Sequence, residues 1–367
     1  MNHMGKKRMI VKIGSSSLTN ERGEIDRYKF TDHILAIAKI QKMGHEVIVV
    51  SSGAVAAGFR KLGYSSRPIT LKGKQAAAAI GQGLLIQSYM EALLKFDTLA
   101  AQILLTRSDF NNQVRFRNAY DTIMELLDRK VIPIINENDT VSIEELTFGD
   151  NDMLSALVSG LVHADLLVIL TDINGLYDQN PFKYPNASRI DFLNEITDVQ
   201  MKATDGAGSK VGTGGMYSKL NAAKTAMELN VPVFIGTGKG EDKLISILNG
   251  TGDGTYLSNQ QMKKINTKRQ WIALHSTVKG KIYVDKGAEK ALVHGGGSLL
   301  SPGIVKIDGS FLSGEVVEVR FESQLIARGE VSCSSQYLTQ TAHKKNRIKE
   351  VIHRDKLVLE SNRSEGK

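Results

Sequence analysis

Two lysines occupy positions from which an ammonium group can meet an anion. Lys12 closes an otherwise apolar N-terminal run, MIVKI, where a charged side chain is costly unless it finds a partner. Lys219 follows the glycine-rich stretch GTGG, whose backbone N–H groups can face an anion at the start of a helix. Polyphosphate is the ligand that this chemistry favours. The alternative for Lys12 is that its side chain simply extends to solvent.

Glycine, serine and threonine recur where predicted strands end. Four such stretches are KIGSSSL at 12–18, SSGAVAAG at 51–58, TDINGLYD at 171–178 and VGTGGMYSKL at 211–220. Ligands gather at strand ends of open α/β sheets because side chains and helix N-termini converge there. One glycine-rich loop alone is as often a plain turn before a helix. Four of them in one sheet favour a phosphate site.

An acidic stretch, NENDTVSIEELTFGDND at 136–152, links an apolar run to the helical pattern MLSALVSGLV. Blocks of like charge are usually solvated loops, which is the simpler interpretation. Here the acids sit at both edges of a strand-to-helix connection, at the end of the sheet where ligands bind. Carboxylates in that place suit a ligand that carries a positive charge, so the stretch is predicted to bind substrate.

Hydrophobic periodicity predicts the scaffold that holds these loops, because short apolar runs alternate with helical patterns over the first 256 residues. Strands are predicted at MIVKI, EVIVVSS, AAQILLT, VIPIIN, DLLVILTD and VPVFIG. Helices are predicted from the Asp26 cap to Gly44 and over 72–95, 115–129, 152–163 and 215–230. Apolar strands separated by helices are typical of a parallel sheet covered on both faces. The expected fold class is α/β, an open αβα sandwich with a mostly parallel sheet.

The C-terminal third differs from the rest of the chain in its residue pattern and in its charge. Basic and acidic residues balance at 28 each over 1–256 but stand at 19 against 11 over 257–367, so the whole net charge of +8 lies there. After Trp271, β-branched runs alternate with glycines, which predicts a small β-rich domain. A basic module of this kind can bind nucleic acid, although it can equally be a solvated face.

Composition and missing motifs disfavour several classes of protein. The chain has 367 residues, enough for about two domains, and a single cysteine, Cys333, so no internal disulfide is expected. It shows no apolar run of membrane-spanning length and no signal-peptide pattern, and a cytoplasmic location is expected. The motifs GxxxxGK[ST], HRD with DFG, and a strand followed by GxGxxG are missing. A phosphoryl transferase of another architecture is therefore favoured.

The motifs together resemble the amino acid kinase family, and within it the branch that phosphorylates glutamate. The resemblance spans nearly the whole chain and rests on KIGSSSL, SSGAVAAG, INEND, GDND, LTD followed by GLY, and GTGGMYSK. Further on, GKIYVDKGAEKAL, GGGSLLSPGI and GSFLSGEVVEV resemble a PUA domain, a small β-rich pseudo-barrel. The expected organisation is an amino acid kinase domain over 1–258, a linker over 259–274, a PUA-like domain over 275–355 and a polar tail over 356–367.

The resemblance implies transfer of the γ-phosphoryl group of ATP to the γ-carboxylate of L-glutamate, which gives L-glutamyl 5-phosphate in the first step of proline biosynthesis. It assigns catalysis to Lys12, Lys219 and Asp152, with the acid holding the two lysines in position. ATP is expected along Lys12, Thr171, Asp172, Thr213, Gly214, Gly215, Met216, Tyr217, Ser218 and Lys219. Glutamate is expected at Ser52, Gly53, Asn136, Asp139, Asp150 and Asn151.

The resemblance also implies Mg²⁺, a dimer or tetramer, and feedback inhibition by proline. Because Mg²⁺ commonly keeps waters and takes phosphate ligands, no protein-only metal cage is expected. No general base is needed, since the acceptor carboxylate is already ionised at neutral pH. One alternative is a kinase for another small acid, such as aspartate or acetylglutamate. The other is an RNA-binding or regulatory protein with a degenerate kinase domain, although RNA binding by the PUA-like domain is not expected.

Overall fold

The computed structural model describes residues 5–141, 151–179, 181, 183–197, 200–201, 215–259, 272, 276, 278–341 and 349–360. These residues divide into two compact units. The first unit holds the described residues up to 259, apart from 110–115, which group with the second unit from 272 onward. Within the described ranges, no helix has the length and apolar character needed to cross a membrane.

The first unit is built on an eight-stranded sheet in the order β3-β4-β2-β1-β5-β9-β10-β8. The strands, with the small separate pair β6 and β7, are β1 (Arg8–Ile13), β2 (Glu46–Ser51), β3 (Ala100–Leu105), β4 (Ile132–Glu137), β5 (Leu166–Leu170), β6 (Leu176–Tyr177), β7 (Arg189–Ile190), β8 (Phe192–Leu193), β9 (Val233–Gly236) and β10 (Gly254–Leu257). Every neighbouring pair in the large sheet is parallel except β9 and β10.

The central strands are apolar and buried along nearly their whole length, as a sheet covered by helices on both faces requires. The helices of this unit are α1 (Ser15–Leu18), α2 (Arg27–Lys42), α3 (Ala54–Gly58), α4 (Leu71–Leu94), α5 (Arg107–Asn111), α6 (Gln113–Asp128), α7 (Asp152–Leu161), α8 (Met216–Glu228) and α9 (Lys243–Leu248). The predicted α/β class with a mostly parallel sheet is confirmed.

The predicted start and end of α2 also agree with the structure. The Asp26 side chain accepts hydrogen bonds from the N–H groups of Tyr28 and Lys29, which satisfies donors that have no partner inside the helix. Gly44, two residues past the last helical residue, has a φ of 92°, a backbone conformation that glycine adopts without strain. Local sequence chemistry therefore determines both ends of this helix.

Two glycines bring α3 and α4 into backbone contact. A Cβ atom on Gly58 would lie 2.0 Å from the carbonyl oxygen of Ala77, and one on Gly81 would lie 1.7 Å from that of Ala54. No larger side chain fits at either position without moving a helix. The close approach fixes α4 relative to the loop that precedes α3, and that loop carries Ser52 and Gly53.

The second unit has its own sheet and its own core. Its strands are β11 (Val278–Val284), β12 (Leu299–Leu300), β13 (Ile304–Gly309), β14 (Val316–Phe321), β15 (Gln324–Glu330), β16 (Glu350–Ile352) and β17 (Leu357–Leu359), with helices α10 (Lys286–Val293) and α11 (Ser335–Thr341). Five strands form the order β13-β11-β14-β15-β17, and β12 pairs with β16. Cys333 is buried in the apolar core of this unit. The predicted small β-rich domain is confirmed.

Candidate active site

The structure brings Lys12, Asp152 and Lys219 together from three separate elements. Lys12 lies near the end of β1, Asp152 is the first residue of α7, and Lys219 is in the first turn of α8. Lys12 Nζ is 2.6 Å from Asp152 Oδ1, and Lys219 Nζ is 3.4 Å from Asp152 Oδ2. The Lys12 side chain is 0% exposed, so the alternative in which it extends to solvent is wrong.

Asp152 is the anion that keeps two ammonium groups close to each other. Burial alone would raise the pKa of its carboxyl group, but the charges of Lys12 and Lys219 lower that pKa below its ordinary value. The Ser218 hydroxyl also donates a hydrogen bond of 2.7 Å to Asp152 Oδ2. The carboxylate is therefore ionised at neutral pH, and the two lysines are held where a phosphoryl group that gains charge can meet both.

Gly14 leaves space beside this cluster. It follows β1 directly, and a Cβ atom at this position would lie 3.2 Å from Lys12 Nζ and 3.9 Å from the carbonyl oxygen of Leu170. A larger side chain would crowd the Lys12 ammonium group. The glycine in the KIGSSSL stretch thus keeps the side of Lys12 next to β5 open.

Three predicted substrate residues meet at neighbouring strand ends. Asn151 Nδ2 donates hydrogen bonds to Asn136 Oδ1 at 2.8 Å and to Ser52 Oγ at 3.0 Å. All three side chains are buried. Gly53 follows Ser52 with a φ of 114°, and this left-handed conformation turns the chain from β2 into α3. The ends of β2 and β4 and the start of α7 therefore form one polar site next to Asp152.

A cavity of about 380 Å³ lies beside this polar site. Its lining includes Gln82 and the small side chains of α4, together with Glu137 and Asp139. Burial and the nearby charge of Glu137 together raise the pKa of Asp139 to about 6, although the charge of Arg67 opposes them. Two carboxyl groups that face one partly buried space suit a ligand with a cationic group.

The described residues among those predicted for ATP lie at the same end of the sheet as Lys12. Thr171 follows β5, the neighbour of β1, and its hydroxyl donates a hydrogen bond of 3.0 Å to Asp172 Oδ1. Gly215 precedes α8, and Met216 and Tyr217 lie in its first turn, with the Tyr217 side chain exposed. Thr213, Gly214 and Asp150 lie outside the described residues.

Two residues of this region, Gln82 and Glu137, are not among those that the sequence predicts for the site. Glu137 lies within the INEND stretch, so the spacing of that motif is the signal that could have found it. Gln82 lies inside a long helical pattern, where nothing in the sequence separates it from other polar helix residues. Its place at the cavity depends on how α4 packs against the sheet.

Across the part of the chain that the structure describes, no group of three or more His, Cys, Asp or Glu side chains is placed to hold a metal ion. Asp152 is not available as a ligand, because its two carboxylate oxygens contact Lys12 and Lys219. A magnesium ion at this site would need oxygen ligands from phosphate groups and water.

Comparisons with known proteins agree with this geometry. The model of the amino acid kinase family matches residues 7–237, and the PUA domain model matches residues 280–352. Glutamate 5-kinase from Oceanobacillus iheyensis is 58% identical over 363 residues, which cover 97% of this chain and 98% of that protein. Glutamate 5-kinase 1 from Bacillus subtilis is 57% identical over 358 residues, covering 96% of this chain and 98% of that protein.

A solved structure shows the same fold for the first unit. Carbamate kinase from Giardia lamblia bound to AMP-PNP aligns with a TM-score of 0.51 at 18% identity, covering 70% of this chain and 99% of that chain. The family model covers more than half of the chain, and the curated relatives match it almost from end to end. The chain therefore belongs to the amino acid kinase family, within the group of the glutamate 5-kinases, and carries a PUA domain after the kinase region.

Proposed function

We propose that the chain transfers the γ-phosphoryl group of ATP to the γ-carboxylate of L-glutamate and releases L-glutamyl 5-phosphate and ADP. The observation that carries the proposal is the buried group of Lys12, Asp152 and Lys219 at the ligand end of a parallel sheet. Phosphoryl transfer requires alignment of two anionic reactants and compensation of the charge that develops between them. Two ammonium groups held by one carboxylate meet that requirement.

The chemical step needs little from the protein beyond position and charge. The nucleophile is an oxygen of the substrate carboxylate, which is already ionised at neutral pH, so no general base takes part. Lys12 and Lys219 stabilise the transferring phosphoryl group, and Asp152 prevents their mutual repulsion from separating them. Ser218 helps by holding one carboxylate oxygen of Asp152 through its hydroxyl group.

The two substrates are proposed to bind on opposite sides of this group. ATP is proposed to lie along Thr171, Asp172 and the segment from Thr213 to Lys219. Mg²⁺ is proposed to accompany the nucleotide and to neutralise phosphate charge while phosphate oxygens and water hold it. Glutamate is proposed to bind at Ser52, Gly53, Asn136, Asp139, Asp150 and Asn151, with its α-ammonium group facing the acidic cavity.

We propose two further properties on the basis of the family resemblance alone. These are assembly into a dimer or tetramer and inhibition by proline. The domain limits at 258, 274 and 355 are likewise proposals. RNA binding by the C-terminal domain remains the competing candidate function, and it is favoured only by the excess of basic residues in that part of the chain.

A panel of acceptor acids tests the proposal. Acyl phosphate is trapped with hydroxylamine while L-glutamate, L-aspartate and N-acetyl-L-glutamate are compared at saturating ATP. We expect kcat/KM for L-glutamate to exceed that for either other acid by at least about a hundredfold. N-acetylation removes the positive charge that is proposed to meet Asp139. The side chain of aspartate is one methylene shorter than that of glutamate, so its reacting carboxylate would not reach the γ-phosphorus.

The same panel separates the alternatives. Comparable efficiency with the acetylated acid would contradict the proposed substrate and favour another small acid. No turnover with any acid, together with a gel shift on RNA, would favour the binding protein with a degenerate kinase domain.

A further inference from the structure

We propose that Gln82 of α4 is a positioning residue of the acceptor-substrate site, which acts by fixing the side-chain amide of Asn136. The inference rests on the proposed function, because Asn136 is assigned to glutamate binding. Gln82 Oε1 accepts a hydrogen bond of 2.7 Å from Asn136 Nδ2. Asn136 is 1% exposed, so its amide depends on protein partners for its hydrogen bonds.

A backbone group decides which way the Asn136 amide points. The N–H of Glu137 donates to Asn136 Oδ1 at 2.9 Å, and a backbone donor cannot exchange roles with an acceptor. Asn136 Nδ2 must then face away from Glu137, toward Gln82. Gln82 therefore has to present its oxygen rather than its nitrogen, and it is the acceptor that satisfies this buried donor.

The orientation passes from Asn136 to the other predicted substrate residues. Asn136 Oδ1 also accepts from Asn151 Nδ2, which in turn donates to Ser52 Oγ. The N–H of Glu137 also contacts Asn151 Oδ1 at 3.2 Å, so the Asn151 amide is fixed in the same direction. Gln82 thus lies at the outer end of a chain of amides that ends at the loop before α3.

The position of Gln82 is set by the fold rather than by its own flexible side chain. It directly follows Gly81, whose backbone lies so close to α3 that a Cβ atom there would be 1.7 Å from the carbonyl oxygen of Ala54. The same helix turn also places Gln82 in the lining of the cavity that holds Glu137 and Asp139. One residue therefore connects the amide chain to the acidic cavity that is proposed to receive the ammonium group.

The substitution Gln82→Met in the full chain tests the proposal, because methionine keeps the length of the side chain and lacks the carbonyl acceptor. We expect the KM for L-glutamate to rise by about tenfold or more, since a buried amide donor loses its partner. The KM for ATP should change by less than about twofold, because the hydrogen bond of Gln82 is made with Asn136, which is assigned to glutamate binding. Gln87→Met is the matched control, since Gln87 is an exposed residue of the same helix whose side chain donates a hydrogen bond to Glu91.

A double-mutant cycle with Asn136→Ala tests whether Gln82 acts through Asn136. If it does, adding Gln82→Met to Asn136→Ala should lower kcat/KM for glutamate by less than about threefold, because the partner is already gone. Equal losses in both backgrounds would overturn the proposal, and so would a Gln82→Met enzyme with an unchanged glutamate KM. Circular dichroism melting of each variant identifies a loss that comes from unfolding.

The control reactions separate this inference from the proposed function. A wild-type enzyme that phosphorylates glutamate while Gln82→Met behaves as Gln87→Met would overturn the role of Gln82 alone. A wild-type enzyme without activity on glutamate would overturn the proposed function first, and the positioning role would fall with it.

Discussion

Lys12 Nζ and Asp152 Oδ1 lie 2.6 Å apart, and both side chains are buried. The two residues are far apart in the sequence and meet only because β1 and the start of α7 lie side by side at one end of the sheet. A buried ion pair is costly to form and more costly to break, because the remaining charge has lost both water and its partner. The relationship therefore ties the stability of the first unit to its proposed chemistry.

Replacing Asp152 with asparagine should lower both the stability of the first unit and the rate of phosphoryl transfer. The variant keeps the size of the side chain but leaves two buried ammonium groups without their carboxylate. We expect the free energy of unfolding to fall by about 3 kcal/mol and kcat to fall by at least about a hundredfold. Denaturant unfolding measures the first effect, and hydroxamate formation at saturating substrates measures the second. Full activity in Asp152→Asn would show that another group organises the lysines.

Replacing Lys219 separates catalysis from binding. Lys219→Met removes a charge that is proposed to act chiefly in the transition state, so kcat should fall by at least about a hundredfold. The KM for glutamate should change much less. Lys224→Met, on the same helix and outside the cluster, is the matched control. Near-normal turnover in Lys219→Met would contradict the role assigned to it.

The affinity for glutamate should depend on pH through Asp139. Its pKa is raised to about 6 by burial and by Glu137, so the carboxyl group becomes protonated as the pH falls through that value. The protonated form cannot attract an ammonium group, and we therefore expect the KM for glutamate to rise as the pH drops below about 6. Steady-state kinetics from pH 5 to pH 8 measure this dependence.

Asp139→Asn is the control for that pH profile. It should have a high KM for glutamate at neutral pH and should lose the rise in KM below pH 6. The KM for ATP serves as an internal reference, because Asp139 is proposed to lie on the glutamate side of the site. If the glutamate KM of the wild-type enzyme stays constant from pH 5 to pH 8, Asp139 does not bind the ammonium group.

Much of the fold and part of the site are local properties of the sequence. The apolar runs predict β1, β2, β4 and β5 because strands that are buried on both faces of a sheet consist mostly of apolar residues. The glycine-rich stretches predict that Lys12 and Lys219 lie near a phosphate, and the family resemblance adds Asp152 between them. The strand predictions are confirmed because each rests on a run that is contiguous in the chain, whereas the place of a phosphate beside the two lysines stays a prediction.

The remainder of the site depends on contacts between distant segments. Gln82 reaches Asn136 because Gly58 and Gly81 let two helices touch, and a glycine inside a helical pattern does not reveal its neighbour. The raised pKa of Asp139 likewise depends on burial and on the position of Glu137 in space. Sequence periodicity carries no information on such distances.

Replacing either of two glycines of α4 with alanine should change the free energy of unfolding in opposite directions, because only one of them contacts α3. Gly81→Ala places a methyl group against the backbone of α3, and we expect a loss of about 3 kcal/mol in unfolding free energy. Gly83→Ala meets nothing within 4 Å and should stabilise the protein by up to about 1 kcal/mol, since alanine favours the helix. Denaturant unfolding of both variants measures the difference. Equal stability would show that the two helices can separate at low cost.

Removal of the C-terminal unit should leave a competent kinase. The described residues assigned to ATP and glutamate all belong to the first unit, and each unit has its own apolar core. A chain ending at residue 258 should therefore fold cooperatively and keep kcat for glutamate within about threefold of the full chain. Circular dichroism melting and the hydroxamate assay measure both properties, with the full chain as reference. A truncated protein that melts cooperatively yet shows no turnover at saturating substrates would mean that the PUA domain is part of the catalytic unit.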